Sequence, residues 1–282
     1  MKYSADKNLF FVHVPKCAGL SIYRGLDPIA DFPWAAFARD NGLSEAEMRA
    51  RVTPFGYPHD RLGEIHQAHI PLPILARDFP RCFALLARST SFAVLRDPRS
   101  RFVSALRQHL REFDGIGALS ITDDMLRAAA IRVRDWLAHR EVFADLRYIH
   151  FTRQSDYVML DGRQVVDRLF AIEDLPRLEA WLHDSYGAPR FLAAPTNQSR
   201  QPKRWFRHAQ PVVRALSRNV LPQPLRAALR PLWLRSGLYE TASQGYDRLA
   251  FDAETEAFIA ERYAQDARLH AAARRHPLSS AA

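Results

Sequence analysis

The chain has 282 residues, is 48% hydrophobic and 11% aromatic, and carries a net charge of +9. That apolar content excludes a disordered protein, and the charge points to polyanionic company (nucleic acid, anionic lipid, acidic glycan, a phosphorylated cofactor) or to a plain basic surface. Cys17 and Cys82 are too few for a disulfide framework or a zinc site and read as reduced and structural. No run approaches the ~20 apolar residues of a membrane span, and MKYSADKNLF has no signal-peptide core. The expectation is a cytoplasmic protein, peripheral to a membrane at most.

In chain order, Leu9, Phe10, Phe11, Val12 and Val14 form a run of strand formers suited to a buried parallel strand. Pro15 ends it, because proline has no N–H for a ladder. Lys16, Cys17, Ala18 and Gly19 make a small-residue turn, and Leu20, Ser21, Ile22 and Leu26 suit the helix that follows. A strand feeding a tight turn and a helix start is an anion trap, since the first helical N–H groups have no internal partner. Lys16 adds a charge and Ser21 a rotatable donor. The nucleotide P-loop pattern differs, placing its lysine directly before Ser/Thr after a longer Gly-rich loop.

Residues 27–63 are rich in proline and glycine around one helical patch, Ser44 to Arg51, where Ser44 and Glu47 have capping-box spacing. This reads as an irregular insertion over the active face or as a surface excursion. Glu64 to Ala68 reads as a short second strand with His69 near its end. His69 is the candidate base, with His66 as the alternative. Ser91 to Leu95 reads as a buried strand closed by Arg96. Asp97 then caps a helix that begins at Pro98 and carries Phe102, Val103, Leu106 and Leu110 on one face. Arg96, Arg99 and Arg101 crowd its start, with Ser104 one to two turns in; the same pattern also suits an amphipathic helix with solvated arginines.

An amphipathic helix is expected from Thr122 to Phe143, then short strands at Arg147 to Phe151 and Tyr157 to Leu160, with Asp161-Gly162 as a turn. Leu169 to Leu175 reads as strand-to-helix, the helix ending before Gly187. From Ser185 to Tyr239 there are ten Arg and Lys residues and no acid, interleaved with Leu, Val and Trp. Basic amphipathic helices of that kind suit an anionic membrane or an acidic glycan, or simply pack with their charges in water. A final helix spans Ala253 to Arg275.

HVPKCAGLS resembles the phosphosulfate-binding loop of carbohydrate sulfotransferases, typically HIPKTAGTS: His13, Pro15, Lys16, Ala18, Gly19 and Ser21 match, while Cys17 and Leu20 stand where threonine is common. Arg96, Asp97, Pro98, Arg101, Val103 and Ser104 are in register with the family's 3′-phosphate motif, RDPxxRxxSxY, with Leu106 in place of tyrosine. Ala68-His69 is similar to its "GH" segment, Glu173-Asp174-Leu175 to its E-[DN]-L, Asn197-Gln198-Ser199 to its N-x-S, and Arg262-Tyr263-x-x-Asp266 to its closing Tyr–Asp helix.

The resemblance implies a central parallel β-sheet flanked by helices, a P-loop NTPase-like sulfotransferase fold, over one domain of residues 1–282 with a basic helical excursion at about 200–236. It implies transfer of a sulfuryl group from 3′-phosphoadenosine 5′-phosphosulfate to a hydroxyl or amine, with no metal. Lys16 and His69 would be catalytic. Lys16, Cys17, Ala18, Gly19, Leu20, Ser21, Arg96, Ser104, Asn197 and Ser199 would bind the donor. The acceptor would be a glycan or glycolipid, with peripheral membrane contact through 200–236 and no specific nucleic acid. A small-molecule kinase with a P-loop-like site and a non-catalytic polyanion binder remain the alternative readings.

Overall fold

A computed structural model describes residues 1–118, 120–192 and 249–275, and the backbone alone of 200–202 and 239–241. Its elements in chain order are β1 (Lys2–Ser4), β2 (Leu9–Val12), α1 (Gly19–Leu26), α2 (Trp34–Asp40), α3 (Glu45–Arg51), β3 (Tyr57–His59), β4 (Gly63–Ile65), α4 (Leu72–Asp78), α5 (Pro80–Arg88) and β5 (Thr90–Leu95). Then come α6 (Pro98–Glu112), α7 (Asp123–Leu137), α8 (Ser155–Val158), β6 (Met159–Leu160), β7 (Arg163–Gln164), β8 (Arg168–Ala171) and α9 (Leu175–Tyr186). Strands β9 (Arg200–Pro202) and β10 (Tyr239–Thr241) pair antiparallel, and helices α10 (Ala253–Arg262) and α11 (Ala264–Arg275) follow.

The main sheet has four strands in the order β1-β2-β5-β8. β2, β5 and β8 are parallel, as their apolar runs predict, and every residue of β2 is buried. The sheet is mixed, however, because β1 folds back antiparallel on β2 through a turn in which Asn8 takes φ 48°. A three-residue hairpin arm is short and carries no parallel-strand signature. Ser91 ties β5 to the entry of β8, its backbone N–H and hydroxyl both donating to Asp167 Oδ2 at 2.8 Å.

Glu64 to Ala68 does not supply a second parallel strand. β4 ends at Ile65 and pairs with β3 in a separate hairpin, and His66 to His69 form a turn closed by His69 N–H donating to His66 O at 2.9 Å. Residues 27–63 contain the expected capped helix, with Ser44 and Glu47 exchanging both capping-box bonds, and also α2, whose Phe37 stacks on Phe79 at 5.0 Å. Arg147 to Phe151 is not a strand but ends in a 3₁₀ turn over Ile149–Phe151, and Tyr157 to Leu160 is a strand only in its last two residues. Asp161 and Gly162, at φ 49° and 75°, make the expected hairpin turn. α7 stops at Leu137, and the last helix breaks at Tyr263.

Two buried clusters flank these elements. One packs the sheet, α1, α2, α4, α5 and α9; the other joins α6, α7, α10 and the 3₁₀ turn through Phe102, Leu106, Val133, Phe151 and Tyr263. No helix among the described residues is long and apolar enough to cross a membrane.

Candidate functional site

The parallel register sets Val12 beside Ala93, so the chain leaving β2 and the chain leaving β5 emerge from the same edge of the sheet. The first continues into the Lys16 loop and the second into Arg96. Lys16 and Ala18 take φ 68° and 58°, and Ala18, the residue before α1, makes no side-chain cap. Left-handed residues alternating along a turn direct successive backbone N–H groups into a concavity that suits an anion. The start of α1, uncapped by any side chain, adds its own donors. Gly19 is demanded by packing: a Cβ there would lie 1.6 Å from His13 Nε2.

Lys16 Nζ donates to Gln108 Oε1 at 3.2 Å, and Gln108 in turn donates to Glu112. Ser104, half-buried, precedes Gln108 by four residues on α6, on the same helical face. Lys16 therefore reaches the face of α6 that carries Ser104. Burial, helped by Arg111 and Arg96 against the pull of Glu112, pushes its ammonium down to about 8. A weakly solvated cation of this kind gains much from an anion brought against it.

Cys17 contributes only backbone to this loop. Its side chain is 1% exposed and its Sγ donates inward, to Gln154 Oε1 at 3.3 Å and Pro15 O at 3.6 Å, while burial pushes the thiol up to about 12. Both cysteines are free and buried, as expected of structural thiols. Leu20 is the reverse case, 54% exposed on the first turn of α1. Ser21 is half-buried in that turn. Arg101 is turned inward and 1% exposed; Nη1 donates to His150 O at 3.0 Å and Nη2 to Thr152 O at 2.7 Å, so it builds the scaffold.

Four imidazoles gather beside the loop. Ring centroids lie 4.3 Å apart for His13 and His69, 4.6 Å for His66 and His69, and 5.8 Å for His69 and His150. His69 is 8% exposed, with Nδ1 at 3.4 Å from His13 O, whereas His66 and His150 are half-buried. Burial, reinforced by the neighbouring imidazoles and, for His13 and His150, by Lys16, holds His13, His69 and His150 well below the ordinary histidine range; burial takes His66 to about 4. All four are neutral near pH 7, the form a proton acceptor needs.

His150 and Gln154 escaped the sequence reading, since each enters from a segment without a local motif. Gln154 hydrogen-bonds both Cys17 and the backbone N–H and C=O of Arg96. The Tyr263–Asp266 pair supports the same segment: Tyr263 Oη donates to Phe151 O at 2.7 Å, and Asp266 accepts from Gln154 N–H and Ser155 N–H at 2.7 and 2.8 Å. Glu173 pairs with His270 at 2.9 Å. Among the described residues no group of three His, Cys, Asp or Glu side chains is arranged to hold a metal ion. Asn197, Ser199 and the basic stretch 203–236 lie outside the described residues.

The chain matches no family model, no curated protein and no solved structure.

Proposed function

We propose that the protein is a sulfotransferase that moves the sulfuryl group of 3′-phosphoadenosine 5′-phosphosulfate to an acceptor hydroxyl or amine, on a glycan or glycolipid, within a P-loop NTPase-like sulfotransferase fold. One observation carries the reading. A lysine on a left-handed loop at a helix start follows one parallel strand, an arginine ends the neighbouring strand, and a nest of four histidines begins at the His13 ring that packs against the same loop. The donor has a phosphate at each end of its ribose, and the two cations sit at two neighbouring strand ends.

In this reading the loop N–H groups and Lys16 neutralise the charge that grows on the 5′-phosphate as its bond to sulfur breaks. Arg96 and Ser104 hold the 3′-phosphate, which fixes the line of attack. The acceptor oxygen or nitrogen forms the new bond to sulfur and gives its proton to a histidine. His69 remains the proposed base. His66 and His150, more open to solvent, form its immediate surroundings. Leu20, where the family commonly has a hydroxyl, leaves the phosphate to backbone donors and Ser21, and its exposed side chain suits an acceptor with an apolar part.

Calorimetry with adenosine 3′,5′-bisphosphate and with ATP tests the reading. The wild type should bind the bisphosphate and prefer it to ATP. Arg96→Ala should weaken it by about 10- to 100-fold, the worth of a charged hydrogen-bonded pair. Lys16→Ala should lower transfer by about 10²- to 10³-fold. Equal or tighter binding of ATP would overturn the assignment in favour of a kinase.

A further inference from the structure

Lys16 and Arg96 both lie beyond the ladder that joins their strands, since β2 and β5 stop pairing at Val12 and Ala93.

We infer that Gln154 is the positioning residue that holds these two cationic elements at a fixed separation, an inference that rests on the donor site proposed above. Its side chain is 0% exposed. Oε1 accepts from Arg96 N–H at 2.9 Å, and Nε2 donates to Arg96 O at 2.8 Å. The amide thus closes a two-bond ring on one residue's backbone, serving it as a neighbouring strand would. Oε1 also accepts from Cys17 Sγ at 3.3 Å, on the residue after Lys16.

Gln154 is itself anchored. Asp266, 0% exposed on α11, accepts its backbone N–H and that of Ser155. Arg101, whose guanidinium lies 4.0 Å from Asp266, secures His150 O and Thr152 O just upstream. One short segment therefore sets the loop, the strand end and His150 together. Gln154 acts through Cys17 and Arg96 and needs no contact with the donor. A donor carrying two phosphates uses both elements at once, so a change in their separation costs it far more than a ligand that uses one.

The test compares adenosine 3′,5′-bisphosphate with adenosine 5′-phosphate by calorimetry, with melting temperature recorded for each protein. In the wild type the second phosphate should improve affinity by about tenfold or more. Gln154→Met fills the space without the hydrogen bonds and should shrink that advantage to about threefold or less, while binding of the 5′-phosphate changes little. Gln154→Glu, the variant to rely on if Gln154→Met does not fold, keeps the acceptor but loses the Nε2 donor. Its advantage should be reduced at neutral pH and should recover on acidification, when the protonated carboxyl again donates to Arg96 O; the wild type should show no such recovery.

If both variants keep the full bisphosphate advantage, or lose both ligands in equal proportion as the melting temperature falls, Gln154 has no positioning role. If the wild type itself gains nothing from the second phosphate, the donor reading fails and takes this inference with it.

Discussion

Lys16 and Ala18 hold left-handed backbone without being glycine, at a cost of about 1 kcal/mol or more each. The surrounding packing imposes this conformation: the Cys17 side chain between them is buried, and Gly19 is pressed against the His13 ring. His13 cannot easily give way, because it is flanked by Phe11 at 5.7 Å, Tyr23 at 4.9 Å and His69 at 4.3 Å. Gly19→Ala should therefore destabilise the protein by about 1–3 kcal/mol, as overpacking does. It should also weaken bisphosphate binding by displacing the loop; unchanged denaturation and binding curves would show that the ring moves freely. Gly19 was legible in the sequence as part of the turn, but its reason was not. The ring that excludes a Cβ stands six residues upstream and meets it only after the turn closes.

At the scale of elements, capping was the most readable feature. Asp97 accepts from Ser100 N–H at 2.8 Å at the start of α6, Thr122 from Met125 N–H at the start of α7, and Ser44 completes a full capping box. Each satisfies an orphan helical N–H from within three residues, so the signal is local. Asp97→Ala should cost about 1 kcal/mol in chemical denaturation and Asp97→Asn much less; equal losses would mean that the charge matters rather than the cap. The segment 147–160 read badly for the opposite reason. Its backbone groups bond to Arg101, Tyr263 and Asp266, far away in the chain, and those partners allow a 3₁₀ turn and a single helical turn where periodicity suggests strands. His66 and His69 likewise fall in a turn because β4 pairs with β3 and not with the main sheet.

For the molecule as a whole, the histidine nest couples the site to folding. The ordinary histidine pKa is 6.5, burial takes His66 to about 4, and His13, His69 and His150 are also held well below their ordinary range. Below pH 6.5 the unfolded chain binds protons that the folded chain refuses, so stability falls as pH falls from 6.5 towards 4, at up to ~1.4 kcal/mol per pH unit for each histidine. Asp156, whose carboxyl is pushed up by burial, works in the opposite sense. Melting temperature should therefore drop between pH 7 and 5, and His66→Gln should flatten the slope; a flat profile in the wild type would refute a neutral nest.

What the sequence determined alone is what acts between near neighbours or recurs along one element. That includes the buried runs of β2 and β5, the turn after Pro15, the caps, the apolar face of α6 and the helix ending at Gly187. The tertiary structure decided the antiparallel edge strand, the inward turn of Cys17 and Arg101, the gathering of four histidines from three segments, and the place of Gln154 between two strand ends. These depend on which distant backbone groups are left without partners once the strands stop pairing, and no periodicity in one stretch of chain records that.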